Sequence, residues 1–219
     1  SALWMGAMSL FATDTTCFPH RLLCDYLENP LGIDNPNPRL SWQLNDSRQG
    51  AKQTAYQIWV GTDSLEVMNE KGNQWNTGKQ LSDETLLSYK GEALQPFTKY
   101  YWKIKVWDKD GVSSHSAIHT FETGMMQMKN WQGAWIGDWH DMHYKPAPYF
   151  RKVFQAKKKV KSARAYLAAA GLFELYLNGE KIGNHRLDPL YTRFDRKNFY
   201  LTFDVTKQLQ EGANAIGVL

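Results

Sequence analysis

Aromatic rings standing near carboxamides, carboxylates and a guanidinium are the groups of this chain best suited to holding a ligand. Trp135, Trp139, Tyr191 and Arg193, with Asp138, Asn178 and Asp188, all fall in its C-terminal half. Sugar rings present apolar faces that stack on Trp and Tyr, and their hydroxyls need partners such as Asp, Asn and Arg. The set therefore reads as a candidate saccharide-binding site. A plainer reading competes with it: Asn178 precedes Gly179 and Asp188 precedes Pro189, both turn-forming pairs, while Trp135 packs in a core.

Other chemistry is thinly represented. Asp108, Asp110 and Glu122 are isolated carboxylates beside turns, where Asp hydrogen-bonds its local backbone. His115 and His119 stand four apart, a spacing that shares a face of a strand without converging as it does on a helix, and no third ligand accompanies them. No pair of carboxylates stands in a recognisable acidic motif. A phosphate loop, a nucleophile elbow and a metalloprotease motif are all missing from the sequence. Cys17 and Cys24 are too few for a disulfide scaffold or a thiolate zinc site and are expected to be free. No catalytic residue and no metal ligand is assigned.

The elements that would carry these residues are strands. Leu40, Trp42 and Leu44 alternate along 39–44, as do Tyr56, Ile58 and Val60 along 55–60, with Trp59 on the opposite face. Tyr100, Trp102, Ile104 and Val106 alternate ahead of the Asp110-Gly111 turn, and Phe121 lies in the next strand. The spacing Leu94-x-Pro96-x-Thr98-x-Tyr100 resembles the tyrosine corner of fibronectin type III domains. Further on, strands are expected over 149–154, 164–170 and 172–177. Asn178-Gly179 makes a two-residue hairpin turn leading to Ile182. Phe199, Leu201 and Phe203 alternate, Asp204 or Thr206 caps a short helical turn ended by Gly212, and 215–219 starts a buried strand. The chain is thus read as all-β: a fibronectin type III-like sandwich over 20–124, a linker at 125–130, and a second sandwich over 131–219 that is incomplete at its C-terminus.

Composition supports this. The chain of 219 residues, 42% hydrophobic and 14% aromatic, is long enough for one or two cores. The net charge of +4 is largely accounted for by Lys157, Lys158, Lys159 and Lys161, a solvated run rather than a nucleic-acid face. Residues 1–19 read as a leader. Its stretch 1–12 is apolar over about the length of a signal-peptide core but has no basic segment before it, and it is too short to span a bilayer. It is taken as the remnant of an export signal, which places the protein in the periplasm or outside the cell; an ordinary apolar strand or an expression remnant is the alternative.

One stretch carries a family pattern. Gly171-Leu172-Phe173-Glu174-Leu175-Tyr176-Leu177-Asn178-Gly179, then Gly183, Leu187-Asp188-Pro189, Thr192, Tyr200, Asp204-Val205-Thr206 and Gly212-x-Asn214-Ala215-Ile216-Gly217-Val218 follow at matching spacing. It resembles the N-terminal domain of bacterial α-L-rhamnosidases. The resemblance implies a jelly-roll-like second sandwich and a non-catalytic segment, whose inverting acid and base lie on a distant C-terminal (α/α)-barrel with carboxyl groups about 6.5 to 9.5 Å apart. The implied partners are that barrel, packed intramolecularly, and a rhamnose-containing glycan or glycoside. Some members hold rhamnose through a calcium ion on an Asp and an Asn of this domain, so calcium is a possible cofactor. A free-standing carbohydrate-binding or adhesive protein is the alternative reading.

Overall fold

The computed structural model describes residues 17–138, 143 and 146–219, which fall into two compact units divided between Met126 and Gln127. The first contains β1 (Phe18–Cys24), β2 (Arg39–Asn45), β3 (Gln53–Gly61), α1 (Ser64–Met68), β4 (Trp75–Asn76), β5 (Leu86–Ser88), β6 (Lys99–Asp108), β7 (Ser113–His115) and β8 (His119–Glu122). One sheet runs β1-β2-β5; the other runs β4-β3-β6-β7, with β8 also pairing β6. The two sheets face each other across Leu22, Leu40, Trp42, Tyr56, Ile58, Val60, Tyr100, Trp102, Ile104 and Val106, all buried. Every inward position read from the alternation of β3 and β6 is in that core.

Polar groups inside this sandwich are matched. The indole of Trp42 donates to Oε1 of Gln53 at 2.9 Å, and the amide nitrogen of Gln53 donates to the carbonyls of Ser82 and Glu84. Tyr100 forms the corner: the Gln95 N–H donates to its hydroxyl at 2.7 Å, and its ring stacks on Phe121 with centroids 5.1 Å apart. Burial pushes the Tyr100 phenol above its ordinary pKa.

Two details differ from the sequence-based expectation. Phe18 and Pro19, placed in the leader, pair with Asn45 and Leu44 as the start of β1. Trp59 does face away from the inter-sheet core, but it is only 2% exposed. α1 covers that face with buried Val67, and Asp63 caps the helix by accepting from the Leu65 and Glu66 N–H groups. Cys17 and Cys24 are free thiols, as expected, and both are buried. The expected leader over 1–16 lies outside the described residues.

The second unit opens with a 3₁₀ turn (Met128–Asn130) inside the segment expected to be a linker; Met126, just ahead of it, packs on the first core and donates its N–H to Asp34 at 2.8 Å. Its strands are β9 (Phe150–Ala156), β10 (Arg164–Ala168), β11 (Leu175–Leu177), β12 (Glu180–Lys181), β13 (Tyr200–Asp204) and β14 (Gly212–Val218). They form an antiparallel sheet β12-β11-β14-β9 and an antiparallel ribbon β10-β13. Leu175, Leu177, Ile182, Phe203 and Val205 make the buried core, flanked by half-buried Phe154, Leu167, Phe173, Leu201, Ile216 and Val218.

Asn178-Gly179 forms the expected two-residue hairpin loop, with φ of 53° and 89°, between the paired residues Leu177 and Glu180. Residues 172–174 lie outside β11. The expected helical turn after Asp204 is a non-helical turn instead. Asp204 Oδ1 accepts from the Thr206 N–H at 3.0 Å, and the Thr206 hydroxyl accepts from the Ala163 N–H at 2.9 Å, tying the turn to the start of β10. No helix among the described residues is long and apolar enough to cross a membrane.

Candidate functional site

On β10, Ala165 and Leu167 pack into the core, so the alternation turns Tyr166 and Ala168 to the other face, and Tyr166 pairs with Thr202 of β13. Tyr200 lies on the same side of the ribbon. Its ring is 6.2 Å from Tyr166 and 5.9 Å from Trp131, which anchors the irregular segment 131–138. A Cβ on Gly133 would come within 2.9 Å of the Trp131 Nε1, so a larger residue there would displace the indole. Trp131, Trp135, Asp138, Tyr166, Leu172 and Phe173 line a cleft of about 480 Å³ beside this cluster.

Trp135 is 65% exposed, so an indole face is open to a ligand, and Asp138 brings a carboxylate to the same cleft. An aromatic wall with one or two polar groups is the usual construction of a small-ligand site. The chemistry available is stacking and hydrogen bonding. Trp131 and Tyr166 were not among the residues singled out from sequence. Trp131 stands four residues before Trp135, which is a signal; Tyr166 read only as part of a strand.

The remaining candidates lie apart from that cleft. Trp139 is outside the described residues. Asn178 is fully used by the fold: its Nδ2 donates to the Gln208 carbonyl at 2.8 Å and to Asn214 Oδ1 at 2.9 Å, while its Oδ1 accepts from the Ala215 N–H at 2.8 Å. Asp188 Oδ2 lies 2.6 Å from His185 Nδ1, and Asp188 precedes a cis proline. Tyr191 is 85% exposed with its ring edge-on to Phe194 at 5.1 Å, and Arg193 pairs with Asp195 at 2.7 Å. The structure thus brings together Trp135 and Asp138, and not Asn178, Asp188, Tyr191 or Arg193.

The candidate oxygen donors Asp138, Asn178 and Asp188 are not gathered at one place among the described residues. Asn178 Oδ1 accepts from the Ala215 amide, and among the described residues no group of three or more His, Cys, Asp or Glu side chains could hold a metal ion. His115 and His119 diverge likewise: His115 Nε2 is 2.7 Å from Glu70, whereas His119 is edge-on to Trp102 at 6.5 Å. Burial lowers the His119 pKa.

A second groove, of about 440 Å³, has Ala215 and Gly217 on its floor and Tyr149, Arg151 and Tyr176 around it. The Tyr176 hydroxyl donates to Glu174 Oε2 at 2.7 Å, and Lys181 pairs with the other oxygen. Hydrogen bonds from Lys181 and Tyr176 hold the Glu174 carboxyl below its usual range, and the bond to Glu174 raises Tyr176. The Glu174–Lys181 pair is thus satisfied internally, and among the described residues Arg151 is the one charged side chain lining this groove.

Comparison with known proteins accounts for both units. Residues 19–127 match the family model for the Rha78A-like N-terminal immunoglobulin domain, and residues 158–219 match that for the α-L-rhamnosidase N-terminal domain. An α-L-rhamnosidase of Formosa agariphila is 33% identical over 224 residues, covering 91% of this chain and 23% of that protein. One from Alteromonas sp. (strain LOR) is 31% identical, covering 87% of this chain and 22% of that protein. Among solved structures, the α-L-rhamnosidase from Dictyoglumus thermophilum is similar at 39% identity with a TM-score of 0.85, over 91% of this chain and 24% of that one. That from Aspergillus terreus is similar at 25% identity and a TM-score of 0.78, over 93% of this chain and 23% of that one. The chain therefore spans less than a quarter of the length of these relatives. With both N-terminal domain types present, in this order along one chain, the chain corresponds to the N-terminal segment of the α-L-rhamnosidases it matches.

Proposed function

We propose that this chain is the non-catalytic N-terminal portion of an enzyme that hydrolyses terminal α-L-rhamnosides with inversion, and that it packs on a catalytic domain of the same protein. The observation carrying this reading is the tandem match of the two domain models together with the relatives' names. The Trp135–Asp138 cleft is assigned to the rhamnose-containing glycan, Trp135 stacking on the apolar face of the sugar and Asp138 accepting from its hydroxyls. Export to the periplasm or the medium is inferred from the apolar stretch at 1–12. The test is turnover of p-nitrophenyl α-L-rhamnoside by the product of the complete gene, with anomeric configuration followed by NMR. Release of the inverted sugar supports the reading; turnover confined to other p-nitrophenyl glycosides overturns it.

A further inference from the structure

β6 turns Tyr100, Trp102, Ile104 and Val106 inward, so Lys99, Tyr101, Lys103, Lys105 and Trp107 form a ladder on the face away from the inter-sheet core. Two of its cations are answered within the fold. Lys103 Nζ donates to the Met68 carbonyl at the end of α1, at 3.0 Å, and Lys99 lies 3.6 Å from Glu122. Lys105 differs. Its Nζ lies 5.1 Å from the Trp107 ring centroid, and Lys79, from the loop after β4, brings a second ammonium to 4.3 Å from the same centroid. Neither lysine joins an ion pair among the described residues.

Two like charges on one indole repel each other and the ring quadrupole opposes that, while the Glu70 carboxylate nearby is taken up by His115, the residue in register with Lys105. Acidic residues outnumber basic ones between residues 17 and 126, so this pair runs against the charge of its own unit. Beside it, Gln57 is in register with Lys105 and donates through Nε2 to Asn76 Oδ1 at 3.0 Å. That leaves the Gln57 carbonyl oxygen and the Asn76 amide nitrogen available to hydroxyl groups.

We propose that the Lys79–Trp107–Lys105 face binds an acidic saccharide, its carboxylate or sulfate set between the two ammoniums and its ring hydroxyls meeting Gln57 and Asn76. The saccharide part rests on the rhamnosidase reading; the anion part rests on the unanswered charge. Two lysines match a single anionic substituent and are too few for a nucleic-acid track.

The test is calorimetric titration of the 219-residue chain with trigalacturonate and with a sulfated dextran oligosaccharide, against neutral dextran oligosaccharide and poly-L-glutamate. At least one acidic saccharide binds, neutral dextran does not, and binding weakens with added salt. The double variant Lys79→Gln/Lys105→Gln loses about tenfold or more in affinity, whereas Lys157→Gln/Lys158→Gln/Lys159→Gln retains it. Which acidic saccharide binds identifies the anion. Absence of binding by both, full affinity in the Lys79→Gln/Lys105→Gln protein, or equal binding of poly-L-glutamate overturns the proposal. Rhamnoside turnover by the complete gene product is independent of this outcome, so the two readings fail separately.

Discussion

Asn178 donates to Asn214 Oδ1 at 2.9 Å, joining the β11–β12 hairpin loop to a residue of β14 that is 2% exposed. Asn214 in turn accepts from the Gln210 N–H and donates to the Gln210 and Gly212 carbonyls, so the pair fixes the turn leading into β14. Replacing Asn178 with Ala removes three hydrogen bonds and forces a non-Gly, non-Asn residue at φ 53°. The expected loss is about 1–3 kcal/mol of second-unit stability, with ligand binding in the Trp135 cleft unchanged. Calorimetry and titration on the same variant check this; a variant of wild-type stability that has lost ligand binding would make Asn178 a binding residue instead.

Trp135 carries the cleft's open aromatic face. Because it is exposed, Trp135→Ala should leave the melting temperature within about a degree of wild type. L-Rhamnose should quench tryptophan fluorescence in the wild-type chain, with affinity reduced at least about tenfold in the variant. Quenching that survives at full amplitude and affinity would place the sugar elsewhere.

Tyr100 separates core packing from corner geometry. Tyr100→Phe keeps the ring on Phe121 and loses the Gln95 bond, for about 1 kcal/mol, whereas Tyr100→Ala also opens a cavity and should cost about 3 kcal/mol or more. Equal melting temperatures for wild type and Tyr100→Ala would refute the corner's role.

Arg48 predicts the acid limit of the first unit. Hydrogen bonds from its side chain and backbone pull the Asp46 carboxyl down to about 2. At Asp108 burial pushes upward, but the Arg48 side chain at 2.6 Å and the Val112 and Asp110 amides outweigh it and lower the pKa. Carboxyls depressed on folding contribute stability above their unfolded value of about 3.9 and lose it as pH falls toward the folded value. The two carboxyls should therefore leave melting temperature unchanged above about pH 5 and make it fall between about pH 4 and 2, on top of a decline that buried His119 starts below about pH 6.5. Arg48→Met should be less stable at neutral pH and show a shallower acid decline; an unchanged slope would contradict the assignment.

How far the residues announced this structure depends on how local their partners are. Alternation along β3 and β6 and the Tyr100 corner were readable because each signal lies within about ten residues. β1 was missed because Phe18-Pro19-His20-Arg21-Leu22-Leu23-Cys24 does not alternate: the register shifts between His20 and Leu23, with Arg21 at φ 49°. The burial of Trp59 depends on α1, five residues too short to show periodicity. At the site, Asn178 was readable as a turn residue but not as a lock on Gln208 and Asn214, which are 30 and 36 residues away. Trp135 and Asp138 were legible as side chains, but their union with Tyr166 needed the β10–β13 pairing.

The central claim is that this chain contributes structure and ligand contacts, and no catalytic acid or base. Its most direct test is the rate of nitrophenol release when the purified 219-residue chain is incubated with p-nitrophenyl α-L-rhamnoside. The account predicts a rate equal to the buffer blank. Release above that blank, abolished by a single Asp or Glu substitution within the chain, would contradict it.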